Sequence, residues 1–172
     1  RLDRLLTDIS DASRLDAELS RAVMEPVNFG PILSTLVDAY RVSDDPNAPC
    51  VRIKNIDDVA VMGIESRLAQ VFRNMISNAI SFSPLKAEIV ITVTNLGETG
   101  EIMVEDNGPG IPEGKEADIF NRFYTERPEA EKFGSHSGLG LSISRQIIET
   151  HEGKMYAENR HSDDGKVCGA RF

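Results

Sequence analysis

Asp106-Asn107-Gly108-Pro109-Gly110 and Ser137-Gly138-Leu139-Gly140-Leu141 bracket the stretch on which the reading of this chain turns. Ahead of the first cluster, Glu101-Ile102-Met103-Val104-Glu105 reads as a short strand. Behind the second, Leu141-Ser142-Ile143-Ser144-Arg145-Gln146-Ile147-Ile148 carries the apolar period of a helix. The segment between is charged and has few apolar anchors beyond Phe120, Phe123 and Phe133, with Gly114, Pro128 and Gly134 as breaks. This composition predicts a mobile cover over about 113–137. Glycines at a strand end and a helix start let backbone approach a ligand closely, and free N–H groups at a helix N-terminus suit phosphate. The expectation is a nucleotide site under a flexible lid.

Across the chain as a whole, five helices and several strands are legible. Leu2, Leu5, Leu6, Ile9, Ala12, Leu15, Leu19 and Ala22 form a narrow apolar stripe with charged flanks over residues 1–23, which suits a helical bundle or coiled coil. After a break at Glu25-Pro26, Pro31 to Tyr40 reads as a second helix with proline near its start. Cys50 to Lys54 alternates as a strand, Val59 to Met62 is a further short strand, and Glu65 to Phe82 is helical until Pro84. Glu88 to Asn95 and Glu101 to Asp106 flank a turn and predict an antiparallel hairpin. A short helix near Glu116 to Phe123, a helix from Gly138 to His151, a strand Lys154 to Asn159 and a last strand from Lys166 complete the pattern. The class is α+β, a two-layer sandwich with one sheet covered by helices on one face.

Composition narrows the partners. A net charge of −9 argues against a nucleic-acid ligand, while a nucleotide is admissible if a metal ion and helix N-termini neutralise its phosphates locally. Cys50 and Cys168 are isolated and lack C-x-x-C spacing, so they read as plain thiols. No apolar run approaches membrane-spanning length. The chain starts at Arg1 in mid-pattern and ends on a strand-like Ala170-Arg171-Phe172, which is expected of a fragment.

Four clusters stand in order: Asn74-Met75-Ile76-Ser77-Asn78, then Asp106-x-Gly108-x-Gly110, then Phe120-Asn121-Arg122-Phe123, then Gly138-Leu139-Gly140-Leu141. They resemble the N, G1, F and G2 boxes of bacterial sensor histidine kinases, whose ATP-binding domain has the Bergerat (GHKL) fold. The wording of Arg1 to Leu19 and of Ile80-Ser81-Phe82-Ser83-Pro84 is most similar to the ChvG-type envelope and acid sensors of alphaproteobacteria. The resemblance implies that residues 1–23 are the second helix of a dimerisation and phosphoacceptor hairpin and that 27–172 are the catalytic ATP-binding domain. It implies a cytoplasmic domain of an inner-membrane sensor, with the hairpin, a second protomer and a response regulator as partners. ATP and Mg²⁺ are the implied cofactors.

Residue by residue, Asn74 and Asn78 share a helix face, and an amide oxygen is a hard ligand suited to Mg²⁺. By the resemblance Asn78 is the metal ligand and Asn74 sits beside the phosphates. Asp106 resembles the family's adenine-reading aspartate, since an acceptor-only carboxylate pairs with the exocyclic amine of adenine and disfavours guanine. Gly108, Gly110 and Ile111 line the base. Phe120 and Phe123 pack beneath the lid, with a purely core role for both rings equally open. Ser137, Gly138, Leu139, Gly140 and Leu141 bring backbone to the phosphates. The sequence departs from the family where a Lys or Arg and a Tyr usually follow the N box, for Ser81 and Phe82 stand there. Thr125 stands where Arg often follows the F box; Arg122, Arg127 or Lys132 is a candidate for the missing charge. These changes bear on phosphate affinity and turnover more than on nucleotide binding.

None of His136, His151 and His161 belongs to the His-Glu-x-x-x-Pro setting of a phosphoacceptor. The expected function is transfer of the γ-phosphoryl of Mg-ATP to a His outside this chain, with no catalytic nucleophile in it. Two alternatives remain open at this point. One is another GHKL ATPase, disfavoured because Asn74 stands where a water-activating Glu is needed; the other is a nucleotide-binding regulatory module without kinase activity.

Overall fold

A computed structural model describes residues 22–41, 46–124 and 138–172. Residues 1–21 of the expected helix over 1–23 and the lid segment 125–137, with Arg127 and Ser137, lie outside the described residues.

The order is β1 (Glu25–Asn28), α1 (Phe29–Arg41), β2 (Cys50–Ile56), β3 (Ala60–Gly63), α2 (Glu65–Phe82), β4 (Glu88–Asn95), β5 (Gly100–Glu105), a single 3₁₀ turn (Asp118–Phe120), α3 (Gly140–Thr150), β6 (Glu158–His161) and β7 (Val167–Arg171). Strands pair as β2-β4-β5-β7-β6, and β1 and β3 make a separate two-stranded ribbon. Only β2 and β4 run parallel; the other pairs are antiparallel. That parallel pair needs a crossover, which β3 and α2 provide.

The helices cover one face because each presents a single apolar stripe. Helix α2 buries Leu68, Val71, Phe72, Met75, Ile76 and Ala79, at three- and four-residue steps. Strand β4 buries Ile89, Ile91 and Val93, every second residue, on the facing layer. Phe29 of α1 meets Phe72 of α2 edge-on, with ring centroids 5.5 Å apart, a geometry worth about 0.5–1.5 kcal/mol beyond area burial. The start of α2 has no side-chain cap of its own; instead the Ile64 N–H donates to Nε2 of His151 at 3.0 Å, while Nδ1 of that ring bonds the Ile147 carbonyl at 2.7 Å. His151 thus fastens the end of α3 to the start of α2.

A second, smaller cluster of Ile111, Ile119, Phe120, Ala157 and Ala170 lies beyond the end of β5. Phe172 bridges both clusters and exchanges two backbone bonds of 3.0 Å with Val104, so the β5–β7 ladder continues past Arg171. Two expectations need correction. Lys154–Ala157 carry no ladder; β6 begins at Glu158, where β7 offers a partner. The helix expected over 116–123 shrinks to the 3₁₀ turn, because Phe123 adopts φ 65° and donates its N–H to the Gly138 carbonyl at 2.9 Å. Within the expected lid, Ile119 and Phe120 are buried, while most of 113–118 and 121–124 is exposed. Among the described residues no helix is long and apolar enough to cross a membrane.

Candidate functional site

Asp106 follows β5, and the fold buries it almost completely, at 4 % exposure. Its backbone N–H donates to the Ala170 carbonyl at 2.9 Å. The N–H groups of Gly108 and Ala170 donate to Oδ1 at 2.8 and 3.0 Å. No described residue donates to Oδ2. Burial pushes this carboxyl above the ordinary aspartate pKa, against the two backbone donors and the nearby Arg160 cation. A buried carboxylate with one oxygen held by backbone and the other left over fits a ligand that brings its own donor.

The glycines of the loop are there for room. A Cβ on Gly108 would stand 3.0 Å from the Phe82 carbonyl and 3.1 Å from Asp106 Oδ1, while Gly110 has φ +81°. Ile111 is buried and Phe82 partly exposed. On α2, Asn74 and Asn78 are both half-buried, one turn apart. Asn74 Nδ2 donates to the Gly140 carbonyl at 3.1 Å and to Ser144 Oγ at 3.2 Å. Its amino group therefore sits at the start of α3, beside Gly140. Asn78 makes no hydrogen bond to a described residue. No described residue thus takes up its amide.

Gly138 has φ +71°, and a Cβ there would meet Phe123 and Tyr124 backbone at 2.9 Å. The Phe123–Gly138 bond sets the two ends of the 124–137 segment side by side. Leu139 is buried, Leu141 half-buried, and α3 begins at Gly140. Of the two F-box rings, Phe120 packs in the small core beneath the Arg145 guanidinium, 5.3 Å from its centroid. Phe123 is 57 % exposed, so the shared packing role expected for both rings belongs to Phe120. Arg122 is exposed. The fold thus brings Asp106, Gly108, Gly110 and Ile111 to one strand end, and ties the helix of Asn74 and Asn78 to the start of α3.

Three residues were not legible as site candidates. Asn159 bonds both backbone groups of Ile111, Arg160 bonds the Asp106 carbonyl, and Gly169 leaves no space for a Cβ, which would fall 2.0 Å from that carbonyl. Gly169 in Gly-Ala-Arg-Phe at the chain end was the one available signal.

Residues 63–172 match the profile of the Histidine kinase-, DNA gyrase B-, and HSP90-like ATPase family. The chain belongs to this family. The chain is 47% identical over its whole length to the sensor protein ChvG of Rhizobium meliloti, of which it spans 31%, and 44% identical to ChvG of Agrobacterium fabrum, of which it spans 30%. It spans about a third of these relatives. Among solved structures it resembles the nucleotide-free catalytic domain of histidine kinase ThkA, at 27% identity and a TM-score of 0.69 over 88% of this chain and 93% of that one. Sequence and fold therefore agree on an ATP-binding domain of the histidine-kinase type.

Proposed function

We propose that this chain binds Mg²⁺-ATP and is the catalytic part of a sensor histidine kinase, which transfers the γ-phosphoryl to a histidine of a dimerisation hairpin for relay to a response-regulator aspartate. The observation that carries this reading is Asp106: a buried carboxylate whose Oδ1 is fixed by two backbone donors and whose Oδ2 takes none from a described residue. Facing a base, Oδ2 accepts from the exocyclic amine of adenine and repels the carbonyl that guanine places there. Gly108, Gly110 and Ile111 would flank the base. Gly138, Leu139, Gly140 and Leu141 would offer the backbone N–H groups of the α3 start to phosphate, with Ser137, Arg122 and Arg127 as further contacts and Phe82 beside the loop.

Asn78 would hold Mg²⁺. Among the described residues no three His, Cys, Asp or Glu side chains converge on a metal position, and a single uncommitted amide suits an ion that keeps its waters and takes substrate oxygens. Bound there, the ion supplies charge neutralisation for the phosphates. Residues 1–23 would be the second hairpin helix and 27–172 the catalytic domain, on the cytoplasmic side of an inner-membrane sensor. The relatives' name, sensor protein ChvG, supports that placement.

Calorimetry tests the site. ATP should bind more tightly than GTP in Mg²⁺. Asp106→Asn, which presents a donor where an acceptor stood, should weaken ATP about ten- to a hundredfold, the scale of a charge-assisted hydrogen bond, and lift GTP relative to it. Asn78→Ala should weaken ATP in Mg²⁺ and leave ADP in EDTA unchanged. Equal wild-type affinity for ATP and GTP would remove the basis of this reading.

A further inference from the structure

Two adjacent residues of the edge strand β6 reach the two ends of one loop. Ile111 donates its N–H to Asn159 Oδ1 at 2.6 Å, and Asn159 Nδ2 donates to the Ile111 carbonyl at 2.7 Å. Both halves of a side-chain amide are spent on one residue's backbone, as a neighbouring strand would spend its own peptide groups. The approach is close because Gly110 precedes Ile111; a Cβ there would lie 2.6 Å from Asn159 Oδ1. At the other end, Arg160 Nη1 donates to the Asp106 carbonyl at 2.6 Å and to Asn107 Oδ1 at 2.9 Å, and its Nε pairs with Glu105 at 3.2 Å.

The ladder shows why these two positions act together. Asn159 stands opposite Ala170, whose N–H holds Asp106 Oδ1, and Arg160 stands opposite Gly169, over which the Asp106 carbonyl sits. One rung fixes the carboxylate and Ile111; the next fixes the carbonyl of Asp106. Neither side chain belongs to the main core, and both are half-buried. Their bonds to the loop reach only its backbone and the Asn107 amide, never the Asp106 carboxylate itself.

We propose that Asn159 and Arg160 are positioning residues that hold the Asp106–Ile111 loop in its base-reading shape, so that adenine selectivity is set in part at the sheet edge. This rests on the reading of Asp106 given above. The mechanism is pre-organisation: a loop that occupies the competent shape one tenth of the time binds about tenfold more weakly. Only the base-dependent part of affinity depends on that loop, since Asn78 and the start of α3 lie on other elements.

Calorimetry on the 172-residue chain with ATP and GTP in Mg²⁺, and with ATP and ADP in EDTA, separates the cases. Asn159→Ala should bind ADP in EDTA about tenfold more weakly, the scale of two lost hydrogen bonds, and should show a reduced ATP-over-GTP ratio. The ratio of ATP affinities in Mg²⁺ and EDTA should stay at the wild-type value. Arg160→Lys, which keeps one donor for the Asp106 carbonyl and so guards against a misfolded alanine variant, should shift the same two quantities in the same direction by less. Variants that melt lower yet keep wild-type ADP affinity and base preference would overturn the proposal, as would an equal loss of the Mg²⁺ contribution. A wild type without ATP preference would instead overturn the reading of Asp106 and this proposal with it, so the two failures are distinguishable.

Discussion

At Asp106 function and stability pull in opposite directions. Its carboxyl has been taken out of water, and burial raises its pKa despite the Gly108 and Ala170 donors and the Arg160 cation. A carboxyl whose folded pKa lies above its unfolded value favours the native state at low pH, and that contribution is lost as pH rises through the folded value. Ionised Asp106 is therefore a liability in the free protein, tolerated for the acceptor it offers a ligand. Asp106→Asn retains an Oδ1 for both backbone donors and removes the buried charge. It should raise Tm at neutral pH in the absence of nucleotide, and the gap to wild type should close as pH falls and Asp106 itself becomes neutral. Melting curves over that pH range check the sign; a variant that melts lower at neutral pH would show the carboxylate to be net stabilising. Asp106 stood out in the sequence because its Asp-x-Gly-x-Gly cluster is one of four that stand in order. Its environment was not legible, because one of its two donors, Ala170, and the cation of Arg160 are distant in the chain and brought near by β6 and β7.

Among the elements, the joint between α2 and α3 matters most for the site. Ser144 is fully buried, and its hydroxyl meets the Asn74 amide, which also holds the Gly140 carbonyl. This ties the helix of Asn78 to the first turn of α3. Ser144→Ala leaves half of the Asn74 amino group's bonding in place, so about 1 kcal/mol should be lost, or roughly 2–4 °C in Tm for a chain of this size. If Asn78 and the α3 start hold metal and phosphate as proposed, ATP binding in Mg²⁺ should weaken while ADP in EDTA holds. A fall in Tm with both affinities intact would make Ser144 a packing residue and nothing more. The two helices themselves were legible: the apolar steps of Glu65–Phe82 gave α2 its observed limits, and α3 differs from expectation only by frayed ends. What periodicity did not disclose is pairing. Pro26 reads as a break yet sits within β1, a short strand of a two-stranded ribbon where a missing N–H is tolerated. The start of β6 is set by where β7 lies, and the 3₁₀ turn is cut short by the left-handed Phe123.

For the molecule as a whole, the decisive question is which histidine receives phosphate. Within this chain His151 is engaged at both ring nitrogens, by the Ile147 carbonyl and the Ile64 N–H, and serves as the fastener between two helix ends. A nucleophile needs a ring nitrogen with a free lone pair, and the only one on His151 is the acceptor for Ile64. His161 ends β6 at the sheet edge, exposed and outside the Asp106 loop and the α3 start, and His136 lies outside the described residues. Incubated alone with labelled ATP, the chain should therefore bind nucleotide and gain no acid-labile phosphate. A separate hairpin bearing a His-Glu-x-x-x-Pro helix should accept phosphate from it, slowly, because untethered partners lack the high effective concentration that a linker provides. Mass spectrometry of the alkaline-stabilised product locates any phosphohistidine. Label on the hairpin alone agrees with a catalytic domain acting on a histidine outside this chain; robust label on His136, His151 or His161 would mean that the chain carries its own acceptor, and for His151 that the α2–α3 fastener opens during turnover.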